Sequence, residues 1–116
     1  MRNFTLNEVL NFIKSDVEDV LKPLTQSEID DLTSSDVIEM LENNHYYAPE
    51  VIYCVDVWEI VAGNQFNDYH AESLDFSHCK TSVDCVLYEA QVIIDNAYFQ
   101  NREQVVQDVL DELQTI

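Results

Sequence analysis

The sequence predicts an all-α fold: a compact bundle of about five helices forming one domain over residues 1–116, with room for a short β element in the 64–81 connection. Three observations predict it. Apolar residues recur at helical spacing along successive stretches of chain. Helix-starting signals precede several of those stretches. One Gly and two Pro in 116 residues leave little to interrupt them. A hydrophobic share of 47% is enough for a core and argues against disorder.

Thr5-Leu6-Asn7-Glu8 is a capping box, after which Leu6, Val9, Leu10, Ile13, Val17, Val20 and Leu21 share one helical face. The helix expected from about Leu6 to Lys22 is stopped by Pro23. A short helical turn carrying Ile29 and Leu32 follows Ser27. Ser34 or Ser35 is the expected cap of a helix through Val37, Ile38 and Leu41 that frays at Asn43-Asn44. Pro49 suits the first turn of a helix running through Val51, Ile52, Val55, Trp58 and Val61 to a cap at Gly63. Its β-branched content keeps a strand as the alternative. Asn64 to Thr81 forms an irregular connection, with a turn or short strand near Leu74-Asp75-Phe76. Ser82 caps a helix with Val83, Val86, Leu87, Ala90, Ile93, Ile94 and Ala97 on one face. Asn101 opens a separate last helix, with Val105, Val106, Val109, Leu110 and Leu113 inward.

The charge excludes whole classes of function. The 23 Asp and Glu face 5 Lys and Arg, a formal net charge of -18. Direct nucleic-acid binding needs a basic face, and anionic membranes repel such a chain. No apolar run near Met1 could serve as a signal peptide, and no stretch approaches the roughly 18 apolar residues of a membrane span. Cys54, Cys79 and Cys85 are odd in number and lack disulfide-framework spacing. Reduced thiols and a cytoplasmic location are therefore expected.

Catalytic chemistry has little to stand on. A single Gly leaves no phosphate-cradling loop or dinucleotide fingerprint, and Asp30-Asp31 lies in no calcium loop. His70, His78, Cys79 and Cys85 come closest to a zinc set, without a Cys-x-x-Cys spacing. A Cys–His nucleophile could be assembled from His45, His70 or His78, but nothing in the spacing selects a pair. With so many acids, any two could be named a carboxylate dyad. The expectation is a non-enzyme with no cofactor and no metal. Tyr46, Tyr47, Tyr53 and Trp58 could form a dimer contact or a ligand pocket. Core packing is favoured for Trp58, and partial exposure for Tyr46 and Tyr47. Tyr88, Tyr98 and Phe99 are equally open to either reading.

The acids are spread along the chain, and no Lys or Arg occurs between Lys22 and Lys80. Helical spacing repeatedly pairs acid with acid: Asp16 with Asp19, Glu28 with Asp31, Asp36 with Glu39, Glu39 with Glu42, and Asp108 with Asp111 and Glu112. Each such pair destabilises a helix by a few tenths of a kcal/mol. A surface that accepts this throughout can imitate DNA, which carries one charge per roughly 1.7 Å of axis. At that density the acids represent about 39 Å, or roughly 11 base pairs. The first candidates for phosphate imitation are Glu28, Asp30, Asp31, Asp36, Glu39 and Glu42. Asp16, Glu18, Asp19, Asp108, Asp111 and Glu112 come next. Generic acidity, for solubility or high salt, is one alternative. Another is an acidic immunity protein or antitoxin that neutralises a basic nuclease toxin by charge steering.

At Asn44-His45-Tyr46-Tyr47-Ala48, before the apolar stretch with Val51, Ile52 and Val55, the chain resembles the Ocr-type antirestriction proteins of phages. The resemblance implies a mostly helical, phage-encoded homodimer that imitates bent B-form DNA and evades host defence. It also implies the partner, a basic DNA-binding restriction–modification complex blocked at its DNA groove.

Overall fold

The computed structural model describes residues 5–51, 57–63, 66–71 and 73–115. Among them are five α-helices, a 3-10 turn and no strand: α1 (Leu6–Leu21), α2 (Gln26–Asp30), α3 (Ser34–Asn43), α4 (Val57–Ala62), the turn Asn67–Tyr69, and α5 (Ser82–Leu113). The all-α expectation holds. Compactness does not, because the body measures 52 × 24 × 24 Å with a radius of gyration of 16.3 Å. A compact chain of this length would have about 13 Å. The long axis is set by α5, whose 32 residues rise about 48 Å at 1.5 Å each.

Threonines start the helices. Thr5, Thr25, Thr33 and Thr81 each accept, through the side-chain oxygen, the backbone N–H three residues on, at Glu8, Glu28, Asp36 and Asp84. In the last three the acid returns the bond to the threonine N–H, which completes a capping box. Thr33 and Thr81 therefore displace the expected caps Ser34, Ser35 and Ser82. The reason is the acid three residues on, which only the threonine register satisfies reciprocally. The first short helix likewise begins at Thr25, ahead of Ser27.

Helix α3 ends in a Schellman motif. Tyr46 N–H donates to Leu41 O at 3.0 Å and His45 N–H to Glu42 O at 3.2 Å. His45 takes the left-handed conformation, φ 61°, usually given to glycine there. Tyr46 packs against the core beyond it.

Two expected boundaries are corrected. Pro49 and Val51 lie outside any helix, and α4 begins at Val57 (Ile52, Tyr53, Cys54 and Val55 are outside the described residues). The Gln91 side chain holds this stretch, accepting from Val51 N–H at 2.6 Å and donating to Pro49 O at 3.0 Å. One amide thus satisfies backbone groups that would otherwise need a helix. The second correction is Asn101, which starts no helix because α5 runs unbroken through it. Its side chain donates to Ala97 O at 2.8 Å and Tyr69 Oη at 3.0 Å, so it is satisfied without leaving the helix. Gly63 does follow α4, with its N–H on Glu59 O at 2.8 Å. A Cβ there would run into the Glu59 carbonyl.

The core is one cluster along α5. Val86, Ala90, Ile93, Ile94, Ala97, Tyr98, Val106, Val109 and Leu110 are buried against α1 residues Val9, Ile13, Val17 and Val20, α3 residues Val37 and Leu41, and Val57, Ile60 and Phe66. Every other helix touches α5. Near Leu74-Asp75-Phe76 the chain makes a turn, with Ser77 N–H on Asp75 Oδ1 at 2.9 Å and Cys79 N–H on Phe76 O at 2.9 Å.

Candidate functional site

The acids are placed by the helices that carry them. Apart from buried Asp16 and half-buried Glu8, Asp30, Asp84, Glu89 and Asp95, every described Asp and Glu is exposed. Glu18 and Asp19 lie late on α1, Glu28, Asp30 and Asp31 on and just after α2, Asp36, Glu39 and Glu42 on α3, and Asp108, Asp111 and Glu112 at the end of α5. The fold gathers part of this set. Gln26 donates to Leu113 O at 2.7 Å, Gln114 to Ile29 O at 3.0 Å and Leu32 O at 2.8 Å, and Thr115 to the Asp30 carboxylate at 2.8 and 2.9 Å. The acids of α2 and of the last turns of α5 therefore share one end of the rod. Helix α3 is tied to α5 elsewhere, by Arg102 on Glu42 at 3.0 Å.

The partners that hold these carboxylates are mostly uncharged. On the helices, Gln26 donates to Asp30, Gln91 to Asp95, Gln104 to Asp108 and Gln107 to Asp111, each at 2.9 Å and each four residues apart. Ordinary surface helices put Lys or Arg at that spacing. An amide contributes the same few tenths of a kcal/mol and leaves the negative charge in place. The Thr–acid caps do likewise for Glu28, Asp36 and Asp84. Cations enter at Glu42, paired with Arg102, and at Glu112, 4.0 Å from Lys14 with both side chains well exposed. An exposed pair of that length contributes little. The Gln-x-x-x-Asp spacing was visible in the sequence but carries no strong signal by itself.

Asp16 does not belong with the exposed acids. It is 8% exposed, and its carboxylate accepts the hydroxyl of fully buried Tyr98 at 3.0 Å. Burial raises its pKa, the Tyr98 hydrogen bond lowers it, and Asp19 raises it further, for a net rise. Burial and the Asp16 carboxylate push the Tyr98 phenol far up, so it stays protonated and donates. Asp16 sits between Ile13, Val17 and Val20 on the apolar stripe of α1, and that position was the sequence signal for burial. Asp30 also has a structural task. Bonds from Thr115 N–H, from Gln26 and from the Thr115 hydroxyl hold its pKa below the ordinary value.

Two open grooves flank this acidic surface. The larger, about 700 Å³, is lined by Asn11, Lys14, Ser15, Glu18, Asp19, Leu21, Lys22, Leu24, Ile29 and Leu113. The smaller, about 330 Å³, is lined by Ser34, Gln100, Glu103, Gln104 and Gln107.

The aromatic candidates separate. Tyr46 is half-buried against the core, while Tyr47 is 60% and Trp58 59% exposed. Core packing of Trp58 is thus overturned: α4 turns Val57 and Ile60 inward, which leaves Trp58 facing out. Tyr53 lies outside the described residues. Tyr98 is core, packed edge-on to exposed Phe12 and Phe99, and Arg102 lies 5.0 Å from the Phe99 ring centre. His78 packs edge-on to Tyr88, with ring centres 4.6 Å apart. Among the described residues no three His, Cys, Asp or Glu converge as a metal site, and no helix is long and apolar enough to cross a membrane. Comparisons with protein families, curated proteins and solved structures give no match.

Proposed function

We propose that this protein is a DNA-mimic inhibitor that binds and blocks a DNA-binding host defence enzyme, with a restriction–modification complex as the leading target. It does no catalysis of its own. The observation that carries this reading is the use of glutamine and threonine to hold carboxylates that a generic surface would neutralise with lysine. Such an arrangement orders negative charge and keeps it. The 52 Å long axis matches about 15 base-pair steps of 3.4 Å, longer than the 39 Å that the acid count alone represents. The resemblance at His45-Tyr46-Tyr47-Ala48 points the same way.

The mechanism is electrostatic. A basic groove that binds DNA releases counterions when a row of phosphates enters it, and exposed carboxylates on a rigid rod draw on the same free energy. Glu28, Asp31, Asp36, Glu39, Glu42, Glu18, Asp19, Asp108, Asp111 and Glu112 carry the imitation. Asp30 joins them while latching the end of the chain, and Asp16 leaves the set. A cytoplasmic homodimer meeting at exposed Tyr47 and Trp58 would double the imitated length.

The test replaces amide by cation. Gln104→Lys with Gln107→Lys keeps the spacing to Asp108 and Asp111 and leaves folding intact. Inhibition of DNA binding by a purified type I restriction–modification complex should weaken several-fold, while Gln104→Ala with Gln107→Ala changes it little. Inhibition by the unaltered protein should fade with added salt and with competing duplex. Tight capture of one basic nuclease, indifferent to duplex DNA, would replace this reading with the immunity-protein one. Unchanged inhibition in the lysine variant would reduce the acidity to a solubility device.

A further inference from the structure

We propose that Gln26 and Gln114 are positioning residues, a reciprocal clasp that docks α2 on the end of α5 and sets the spacing between the acids of the two helices in one binding face. The role in binding rests on the DNA-mimic reading, and the docking itself does not. The last carbonyls of a helix have no partner within it. Gln114, just past the end of α5, turns its amide to the end of α2, donating to Ile29 O at 3.0 Å and to Leu32 O at 2.8 Å. Gln26, the first residue of α2, answers in the other direction, donating to Leu113 O at 2.7 Å and to Asp30 Oδ1 at 2.9 Å. Each helix thus caps the carbonyl end of the other. Thr115 closes the arrangement with its backbone N–H and its hydroxyl, both on the Asp30 carboxylate.

Helix α2 needs this support. Five residues are too few for a helix to stand alone in water. Its one buried side chain is Ile29, with Leu24 and Leu32 half-buried on either side. Electrostatics opposes the docking, because Glu28, Asp30 and Asp31 approach an end of α5 that carries Asp108, Asp111 and Glu112. A lysine clasp would relieve that repulsion by cancelling charge. The amide clasp holds the two acidic segments together and leaves the charge of both in place. Without it only Ile29 and its apolar neighbours resist the repulsion, and the spacing between the two sets of acids is no longer fixed.

The test is Gln26→Glu combined with Gln114→Glu, which keeps side-chain size, removes the amide donors and adds two negative charges. A surface that works by charge alone predicts inhibition as strong or stronger, and the clasp predicts the reverse. Hydrogen exchange should quicken at least tenfold at Ile29, Asp31 and Leu32 while α1 and α3 keep their protection. Inhibition of DNA binding by a purified type I restriction–modification complex should weaken several-fold, with a shallower salt dependence because fewer charges meet the partner. Gln26→Ala with Gln114→Ala, which adds no charge, should move both readouts the same way, and circular dichroism checks that the other helices persist in each variant. Unchanged exchange in α2 would overturn the clasp. Faster exchange with undiminished inhibition would overturn its role in binding. Absence of inhibition by the unaltered protein would bring down the DNA-mimic reading and the binding role together, with the docking still decided by the exchange result.

Discussion

The bundle of α1, α2, α3 and the later half of α5 and the stretch from Asn44 to Thr81 satisfy their backbones by different means. In the bundle α1, α2 and α3 each have their own threonine cap and their own apolar residues, so the starts of these helices are satisfied locally. The middle stretch has only the short α4 and a single 3-10 turn among its described residues. Its backbone is held by side chains reaching from α5: Gln91 to Pro49 and Val51, Asn96 to Tyr69 O at 2.9 Å, and Asn101 to Tyr69 Oη. Helix α5 serves the first region as a packing face and the second as a row of amides. Where local signals are strong a helix starts on its own residues, and where they are weak the backbone borrows partners from afar.

The largest test strikes the bundle at Tyr98. Tyr98→Ala empties a fully buried site and leaves Asp16 without its donor, which should cost about 3–5 kcal/mol in urea unfolding. The same pair has a pH signature. The folded pKa of Asp16 lies above 3.8, so its contribution is fully present below 3.8 and is lost as pH rises through the folded value. Asp30 and Asp75 have folded values below 3.8, so theirs is present above 3.8 and is lost as pH falls through them. Asp16→Asn should flatten the loss of stability on the way from pH 4 towards neutrality and leave the decline below 3.8 intact. An unchanged profile would place Asp16 in water.

Next in size is the borrowed support. Gln91→Ala removes both bonds to the 49–51 segment and should cost about 1–3 kcal/mol. Hydrogen exchange should quicken at Val51 while α1 and α3 amides keep their protection. Equal loosening of α1 would erase the contrast between the regions.

The caps come third. Thr33→Ala or Thr81→Ala should each cost about 1 kcal/mol, read as a lower urea midpoint, whereas Ser34→Ala and Ser82→Ala cost less. A serine effect as large as the threonine one would return the caps to the neighbouring register. The smallest effect belongs to Trp58→Ala, expected within about 0.5 kcal/mol because the ring is exposed. A loss of several kcal/mol would put Trp58 back in the core.

Much of the frame was readable from the residues. The stripe of α1 and its stop at Pro23 were plain, as were the apolar faces of α3 and of both halves of α5. The cap register was readable too, since Thr-x-x-acid stands before each of α1, α2, α3 and α5, but adjacent serines competed for it. Trp58 was misplaced because a helix begun at Pro49 sets a different phase from one begun at Val57. Asn101 looked like a start because its side chain favours caps, and nothing nearby in sequence shows the Tyr69 hydroxyl that occupies it. The exposed acids were legible as a set, but Asp16 was counted among them although its place on the apolar stripe of α1 marks it for burial. The glutamines that hold the acids were legible as spacing alone.

Helix class, charge excess and the starting points of the main helices were determined by the sequence alone. They depend on residues within about four positions of each other, where period, cap and charge pair act directly. Tertiary structure decided the continuity of α5, the burial of Asp16, the outward turn of Trp58 and the non-helical path of residues 49–51. Those features rest on bonds such as Tyr98 to Asp16, 82 residues apart, and Gln91 to Val51, 40 apart. No local pattern encodes a partner at that distance, because the contact exists only once the intervening helices have packed.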